Sequence, residues 1–132
     1  MDWEITDTVG LRVNYAFQAS EDKKSGEPIA NTPQKQFYLN PYWAFLPNWS
    51  LDAQIKWIGD RKRAQGDSRD SIDDYALVGM TLRRKNVSKH WDLALAVRNL
   101  LDHDVREPAG TAILDDYPMP GRSIYAEVKC HY

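Results

Sequence analysis

The last eleven residues, Arg122 to Tyr132, set Ile124, Ala126, Val128, Cys130 and Tyr132 against Ser123, Tyr125, Glu127, Lys129 and His131 in strict alternation. Successive side chains of a β-strand point to opposite faces, so this period makes a strand with one apolar and one polar face. About ten residues is also the length a tilted strand needs to cross a bilayer. A strand of a soluble sandwich has the same period, so the rest of the chain must separate the two.

Six period-two segments are predicted, at 9–20, 34–46, 50–59, 74–84, 91–98 and 122–132. In the first, Leu11, Val13, Tyr15, Phe17 and Ala19 oppose Arg12, Asn14, Ala16, Gln18 and Ser20. The second sets Phe37, Leu39, Trp43 and Phe45 against Gln36, Tyr38, Asn40 and Tyr42, with Pro41 expected to interrupt the ladder as a bulge or weak point. Leu51, Ala53, Ile55 and Trp57 oppose Asp52, Gln54 and Lys56 in the third, and Trp91, Leu93, Leu95 and Val97 oppose Asp92, Ala94, Ala96 and Arg98 in the fifth. The fourth is less regular: Ala76, Val78, Met80 and Leu82 make an apolar face, but Tyr75 and Leu77 share the other with Gly79, Thr81 and Arg83. The fold expected is all-β, an antiparallel up-and-down meander forming an open segment of a transmembrane β-barrel.

The connections carry the choice of a barrel. Residues 47–49 and 86–90 are short links, whereas 21–33, 60–73 and 99–121 are long and rich in Asp, Glu, Lys, Arg, Gly and Pro. Short and long links alternate, which places every long loop on one side of the sheet, as in outer-membrane barrels. Trp49, Trp91 and Tyr132 fall at strand ends on the short-turn side, and Phe17, Phe37 and Trp57 lie nearer the long loops. Aromatic rings with a polar handle favour the headgroup region, so these positions read as two girdles.

Bulk composition does not oppose this reading. Barrel strands are polar at every second position, so a mean hydropathy of -0.62 is compatible with a membrane protein. No run approaches the ~18 apolar residues of a spanning helix, which excludes a helical membrane protein. A net charge of -2 offers no basic footprint for nucleic acid. The single cysteine, Cys130, excludes an internal disulfide and a cysteine-based zinc site, and reads as a small hydrophobe on the last strand. Met1-Asp2-Trp3-Glu4 has neither the basic nor the apolar region of a secretory leader, so the chain is expected to be a piece of a longer protein or to work inside the cell.

Val97-Arg98-Asn99-Leu100-Leu101-Asp102, followed after a polar loop by Pro120-Gly121-Arg122-Ser123-Ile124 and an alternating strand to a terminal aromatic, resembles the C-terminal end of TonB-dependent outer-membrane receptors. In that family an Asn-Leu-aromatic-Asp stretch ends the penultimate strand and a Gly-Arg pair opens the last. Asn99, Leu100, Asp102, Gly121 and Arg122 match, while Leu101 stands where Phe is usual. Thr32-Pro33-Gln34 and Asp74-Tyr75-Ala76-Leu77-Val78 also look like the family's strand starts, so the resemblance covers nearly the whole chain. It implies the last six strands of a 22-stranded outer-membrane barrel importing a scarce ligand such as a ferric siderophore, without chemistry on the substrate and without a cofactor. It further implies an N-terminal plug and TonB as partners in the full-length protein, outer-membrane lipid around the barrel, and an assembly machinery that reads the last strand and its terminal Tyr132. Six strands fall short of the eight that close the smallest barrels, so an isolated sheet of this kind would leave two open edges.

Arg12, Asp52, Lys56, Arg83, Arg98, Glu127 and Lys129 all fall on the polar face and are lumen-facing candidates. Their confinement follows first from cost, since Arg or Lys facing lipid near the midplane costs about 2–4 kcal/mol. Substrate contacts are expected from the long loops, especially 60–73 and 99–121. Asp102-His103-Asp104 with Asp115-Asp116 offers carboxylates and an imidazole of the kind metals bind, but an exposed loop is commonly rich in Asp, and a second cluster of defined spacing is lacking. His90 and His131 are expected near the short-turn rim without forming a motif. No Gly-x-Ser-x-Gly, phosphate loop or His-Glu-x-x-His occurs, so the chain is read as a non-enzyme. The alternative reading is a soluble β-sheet module binding carbohydrate or another ligand, in which Trp43, Trp49 and Trp57 would offer stacking surfaces. A small complete barrel, or one closed between copies, is a further alternative.

Overall fold

The computed structural model describes residues 1–19, 29–63, 66–88, 90–110 and 113–131. Among these, seven strands form one antiparallel sheet, and two short strands pair inside the last long loop. In chain order the strands are β1 (Asp2–Thr6), β2 (Val9–Phe17), β3 (Pro33–Leu46), β4 (Trp49–Arg61), β5 (Tyr75–Val87), β6 (Trp91–Arg98), β7 (Arg106–Glu107), β8 (Tyr117–Pro118) and β9 (Ser123–Cys130). The sheet order β1-β2-β3-β4-β5-β6-β9 is a pure meander, with β7 and β8 apart as a small ribbon. Helix is absent among the described residues.

The sheet holds one strand more than the six predicted. Asp2, Glu4 and Thr6 alternate with Trp3 and Ile5, and β1 pairs with β2 through Asp2↔Arg12 and Trp3↔Leu11. Its link, Asp7 and Thr8, is a third short connection on the same side as Pro47-Asn48 and residues 88–90. Thr6 closes this turn by accepting the Val9 N–H at its hydroxyl, 3.1 Å away. The alternation of short and long links therefore runs through the whole chain.

Register aligns the predicted faces across every ladder. Leu11, Val13 and Tyr15 stand opposite Pro41, Leu39 and Phe37. Phe37, Leu39 and Trp43 stand opposite Trp57, Ile55 and Leu51, which continue to Ala76, Val78 and Leu82. Leu82 and Met80 meet Leu95 and Val97, and these meet Ala126 and Ile124. One apolar face thus crosses all seven strands. Its partner face carries Arg12, Asp52, Lys56, Arg83, Arg98, Glu127 and Lys129.

Pro41 does not shift the register. Leu39↔Ile55 and Tyr42↔Asp52 keep the same offset on either side of it. Proline lacks the N–H that the Ala53 carbonyl would accept, and the Asn40 side chain replaces it by donating from Nδ2 to Ala53 O at 2.6 Å. The irregularities lie instead beside the short turns, between Glu4 and Thr6, Trp43 and Leu46, and Arg84 and Val87. Asn48, Asn86 and Ser88 take positive φ there, of 65°, 54° and 53°. Short polar side chains tolerate that left-handed geometry best among non-glycine residues.

Candidate functional site

The two faces of the sheet end in different environments. The apolar face leaves Trp3, Tyr15, Phe17, Trp43, Leu95, Ile124 and Val128 between 48% and 68% exposed. Among the described residues the only buried apolar side chains are Ile58, Tyr75, Val105 and Ala109. A chain that exposes a continuous apolar face while burying so little is built for an apolar surrounding, because patches beyond a few hundred Å² are rare on soluble monomers. Trp43, Phe45 and Trp49 cluster at the short-turn rim, with ring centroids 5.4 and 6.3 Å apart along the series. Trp57 lies near the opposite rim, opposite Phe37 and Ala76. Tyr132, predicted to complete the short-turn girdle, lies outside the described residues.

At the long-loop rim the polar face is covered by the chain's own loops. Ile58 and Tyr75 are paired across β4 and β5 on that face, and Val105 from the 99–122 loop packs onto them, with Leu77 at the border. This accounts for the irregular fourth strand: Tyr75 and Leu77 are apolar on the polar face because a loop lands there. The side chain of Arg61 is buried beneath the same loop at 2% exposure, 3.2 Å from Glu107. Arg61 also donates to Asp73 O at 2.7 Å and its guanidinium lies 4.8 Å from the Tyr75 ring centre. Tyr75 in turn donates its hydroxyl to Glu107 Oε1 at 2.8 Å.

A second cluster joins the 62–74 loop to the 99–122 loop. Arg63 meets both oxygens of Asp116, at 3.0 and 2.5 Å. Arg69 bonds Asp67 at 2.6 Å, reaches Asp116 at 3.3 Å and donates to the Ala109 carbonyl at 2.9 Å. The Arg69 guanidinium holds the Asp67 carboxyl down to about 2, and Arg63 holds Asp116 further below the ordinary carboxylate range. Neither loop shows this arrangement in its sequence, since the partners are 47 and 53 residues apart.

The 99–122 loop is itself clasped at its ends. Asn99 is 7% exposed with φ 48°; it donates to His103 O at 2.9 Å and Pro120 O at 3.4 Å and accepts the His103 N–H at 3.0 Å. Leu100 N–H donates to Val78 O at 2.8 Å, fastening the same turn to β5. Asp102, with φ 55°, accepts the Arg122 N–H at 2.8 Å and pairs with its guanidinium at 3.3 Å. A Cβ on Gly121 would stand 3.1 Å from Asp102 Oδ1, so a larger residue there would push that carboxylate aside by a few tenths of an ångström. Asn99, Leu100, Asp102, Gly121 and Arg122 therefore form one unit. Arg83 pairs with Asp52, Arg98 lies over Tyr125 at 4.9 Å, and Glu127 and Lys129 stand opposite Ala94 and Asp92, all on the polar face.

Of the acidic loop residues singled out as possible metal ligands, Asp102, Asp104 and Asp116 are used in ion pairs. Asp104 turns to Arg106 at 3.4 Å, and among the described residues no three His, Cys, Asp or Glu side chains are grouped as metal ligands would be. His131 meets Asp92 at 2.9 Å, and its N–H donates to His90 O at 2.8 Å, at the short-turn rim.

Comparison with known proteins agrees with this architecture. The chain is 26% identical over 139 residues to the ferric enterobactin receptor of Pseudomonas aeruginosa, covering 91% of this chain and 18% of that protein. A crystal structure of that receptor in complex with enterobactin superposes with a TM-score of 0.78 at 22% identity, over 98% of this chain and 21% of its own. The ferric-catecholate import receptor Fiu of E. coli gives 0.80 at 20% identity, over 97% and 19%, and the copper transporter OprC 0.81 at 15%, over 99% and 22%. These likenesses establish the fold, and the chain spans about a fifth of the length of the proteins it matches. The sequence profile of the family described as "TonB dependent receptor-like, beta-barrel" matches residues 1–100, and with the sheet and its loops arranged as above, the chain belongs to that family of outer-membrane β-barrels.

Proposed function

We propose that this chain is the C-terminal part, residues 1–132, of a receptor barrel that takes up a scarce ligand such as a ferric siderophore, with energy supplied through TonB and an N-terminal plug. In this reading the apolar face meets lipid. The polar face lines the lumen, with Arg83, Arg98, Glu127 and Lys129 toward the plug. The observation that carries it is the rim where Val105 seats on Ile58 and Tyr75 and Arg63 and Arg69 tie the two loops. That rim gives the lumen a built mouth on the long-loop side, its arginines paired with carboxylates. Likeness to a ferric enterobactin receptor supports a ferric catecholate as ligand. The clasp of Asn99, Asp102 and Arg122 orients the last strand, whose end at Tyr132 serves as the signal for barrel assembly.

Uptake of radiolabelled ferric enterobactin into cells lacking their own catecholate receptors, complemented with the barrel containing this chain, tests the reading. TonB-dependent accumulation is expected, with copper uptake unchanged. Accumulation independent of TonB, or none for any ferric chelate with the barrel present in the outer membrane, would count against it.

A further inference from the structure

Two strand cations sit on the apolar face, one near each rim. Lys35, opposite Phe17, is at the long-loop end and has Asp60 at 3.2 Å. Arg84 is at the short-turn end, opposite Trp49 on one side and Leu93 on the other. Among the described residues no carboxylate pairs with Arg84. Its guanidinium lies 5.1 Å from the Trp49 ring centre and the residue is exposed. Arg83, Lys85, Asp92, Glu127 and Lys129 border a recess on the polar face.

Below Arg84 the apolar face is indented. A groove of about 350 Å³ runs between Trp49, Leu82, Leu93, Leu95 and Val128, bordered by Arg84 and by Glu127, whose strand position belongs to the polar face. An apolar trough ending at an unpaired guanidinium matches a molecule with an acyl chain and a single anionic group. Arg presents a planar fork of donors suited to phosphate oxygens, and stacking on Trp49 leaves its N–H edges free.

We propose that Arg84 and Trp49 bind the phosphate of a glycerophospholipid of the leaflet on the short-turn side, with one acyl chain along Leu82, Leu93, Leu95 and Val128. The assignment rests on the barrel reading above, which directs this face to lipid. It adds an occupied, charge-selective lipid site to a surface that the barrel reading requires only to be apolar. Lys35 makes no equivalent site because Asp60 already neutralises it.

Native mass spectrometry of the assembled barrel, exchanged from detergent into mixed micelles, reads the site directly. The probes are phosphatidylglycerol, diacylglycerol with the same chains, and inorganic phosphate. Retention of one phosphatidylglycerol is expected, lowered about fivefold in Arg84→Gln, partly kept in Arg84→Lys and unaffected by Arg83→Gln on the other face. Equal retention of diacylglycerol, unchanged retention in Arg84→Gln, or displacement by inorganic phosphate at low millimolar concentration would each overturn the proposal. Spin labels at Ile55 and Val78, read by oxygen accessibility in vesicles, separate the two readings. If those labels are in lipid and Arg84→Gln has no effect, the site alone fails; if they are not in lipid, the barrel reading itself fails.

Discussion

Asp102 holds Arg122 twice, accepting its backbone N–H at 2.8 Å and meeting its guanidinium at 3.3 Å. The pair bridges 20 residues of loop and sets where β9 begins. The Arg122 N–H, ahead of the charge interaction, holds the Asp102 carboxyl below its ordinary range.

Asn99 is the more consequential half of this clasp. Asn99→Ala leaves the His103 N–H and two carbonyls without their partner at a buried site, at a cost of about 1–3 kcal/mol. It also removes a side chain that tolerates φ 48°. Hydrogen exchange across residues 99–122 should accelerate in Asn99→Ala and less in Asp102→Ala, whose carboxylate is exposed. Equal protection in both variants would show that the loop is held by other contacts.

Pro41 and Asn40 give a compensation test. Asn40→Ala should destabilise the sheet by about 1–3 kcal/mol, because the Ala53 carbonyl loses its donor between β3 and β4. Adding Pro41→Val restores a backbone N–H at that place and should recover most of the loss. Thermal unfolding of the barrel followed by gel mobility measures both. A double variant no more stable than Asn40→Ala would contradict the replacement.

The loop-to-loop ion cluster sets a pH dependence. An aspartate whose folded pKa lies below its unfolded value of about 3.9 stabilises the folded arrangement fully above that value and loses the contribution as pH falls. With Asp67 at about 2 and Asp116 lower, the attachment of the two loops should hold at pH 5 and weaken only below about pH 4. Distances between spin labels at Ser71 and Leu114 should stay narrow at pH 7 and pH 5 and broaden near pH 2. Asp116→Asn should broaden them already at pH 7, since Arg63 and Arg69 then lose their shared carboxylate.

Val105 is the apolar anchor of the last long loop. Val105→Ala removes two buried methyl groups from a side chain 2% exposed, costing about 1.5 kcal/mol of loop docking. Val105→Asp should release the loop, because a carboxylate cannot be buried unpaired against Ile58 and Tyr75. Limited proteolysis of the assembled barrel should then cut within 99–122 while leaving the sheet intact.

Much of this was legible in particular residues. The alternation in Ile124 to Val128, and in Leu51 to Trp57, named the two faces, and the ladders align them as expected. β1 lies outside the predicted segments although Trp3 and Ile5 alternate with Asp2, Glu4 and Thr6. Five residues are too few for a period to stand out, and pairing with β2 supplies what local pattern does not. Tyr75 and Leu77 make the fourth strand irregular in sequence, and Val105 from a distant loop covers them. Pro41 predicts a bulge or weak point, whereas the ladder continues because the donor that replaces its N–H is a neighbouring side chain and not a backbone group.

Strand period, face polarity and the single side shared by the long loops follow from the sequence, because backbone geometry repeats every two residues and each short turn reverses the chain in place. What the long loops do was decided only by tertiary structure. Arg63 finds Asp116 at a separation of 53 residues, and Arg61 is buried against Glu107 at 46. Such partners meet only once β4, β5 and β6 have fixed where each loop starts and ends. Arg84 shows the same division: its place on the apolar face is written in the period, while its seat over Trp49 is set by the register between β4 and β5.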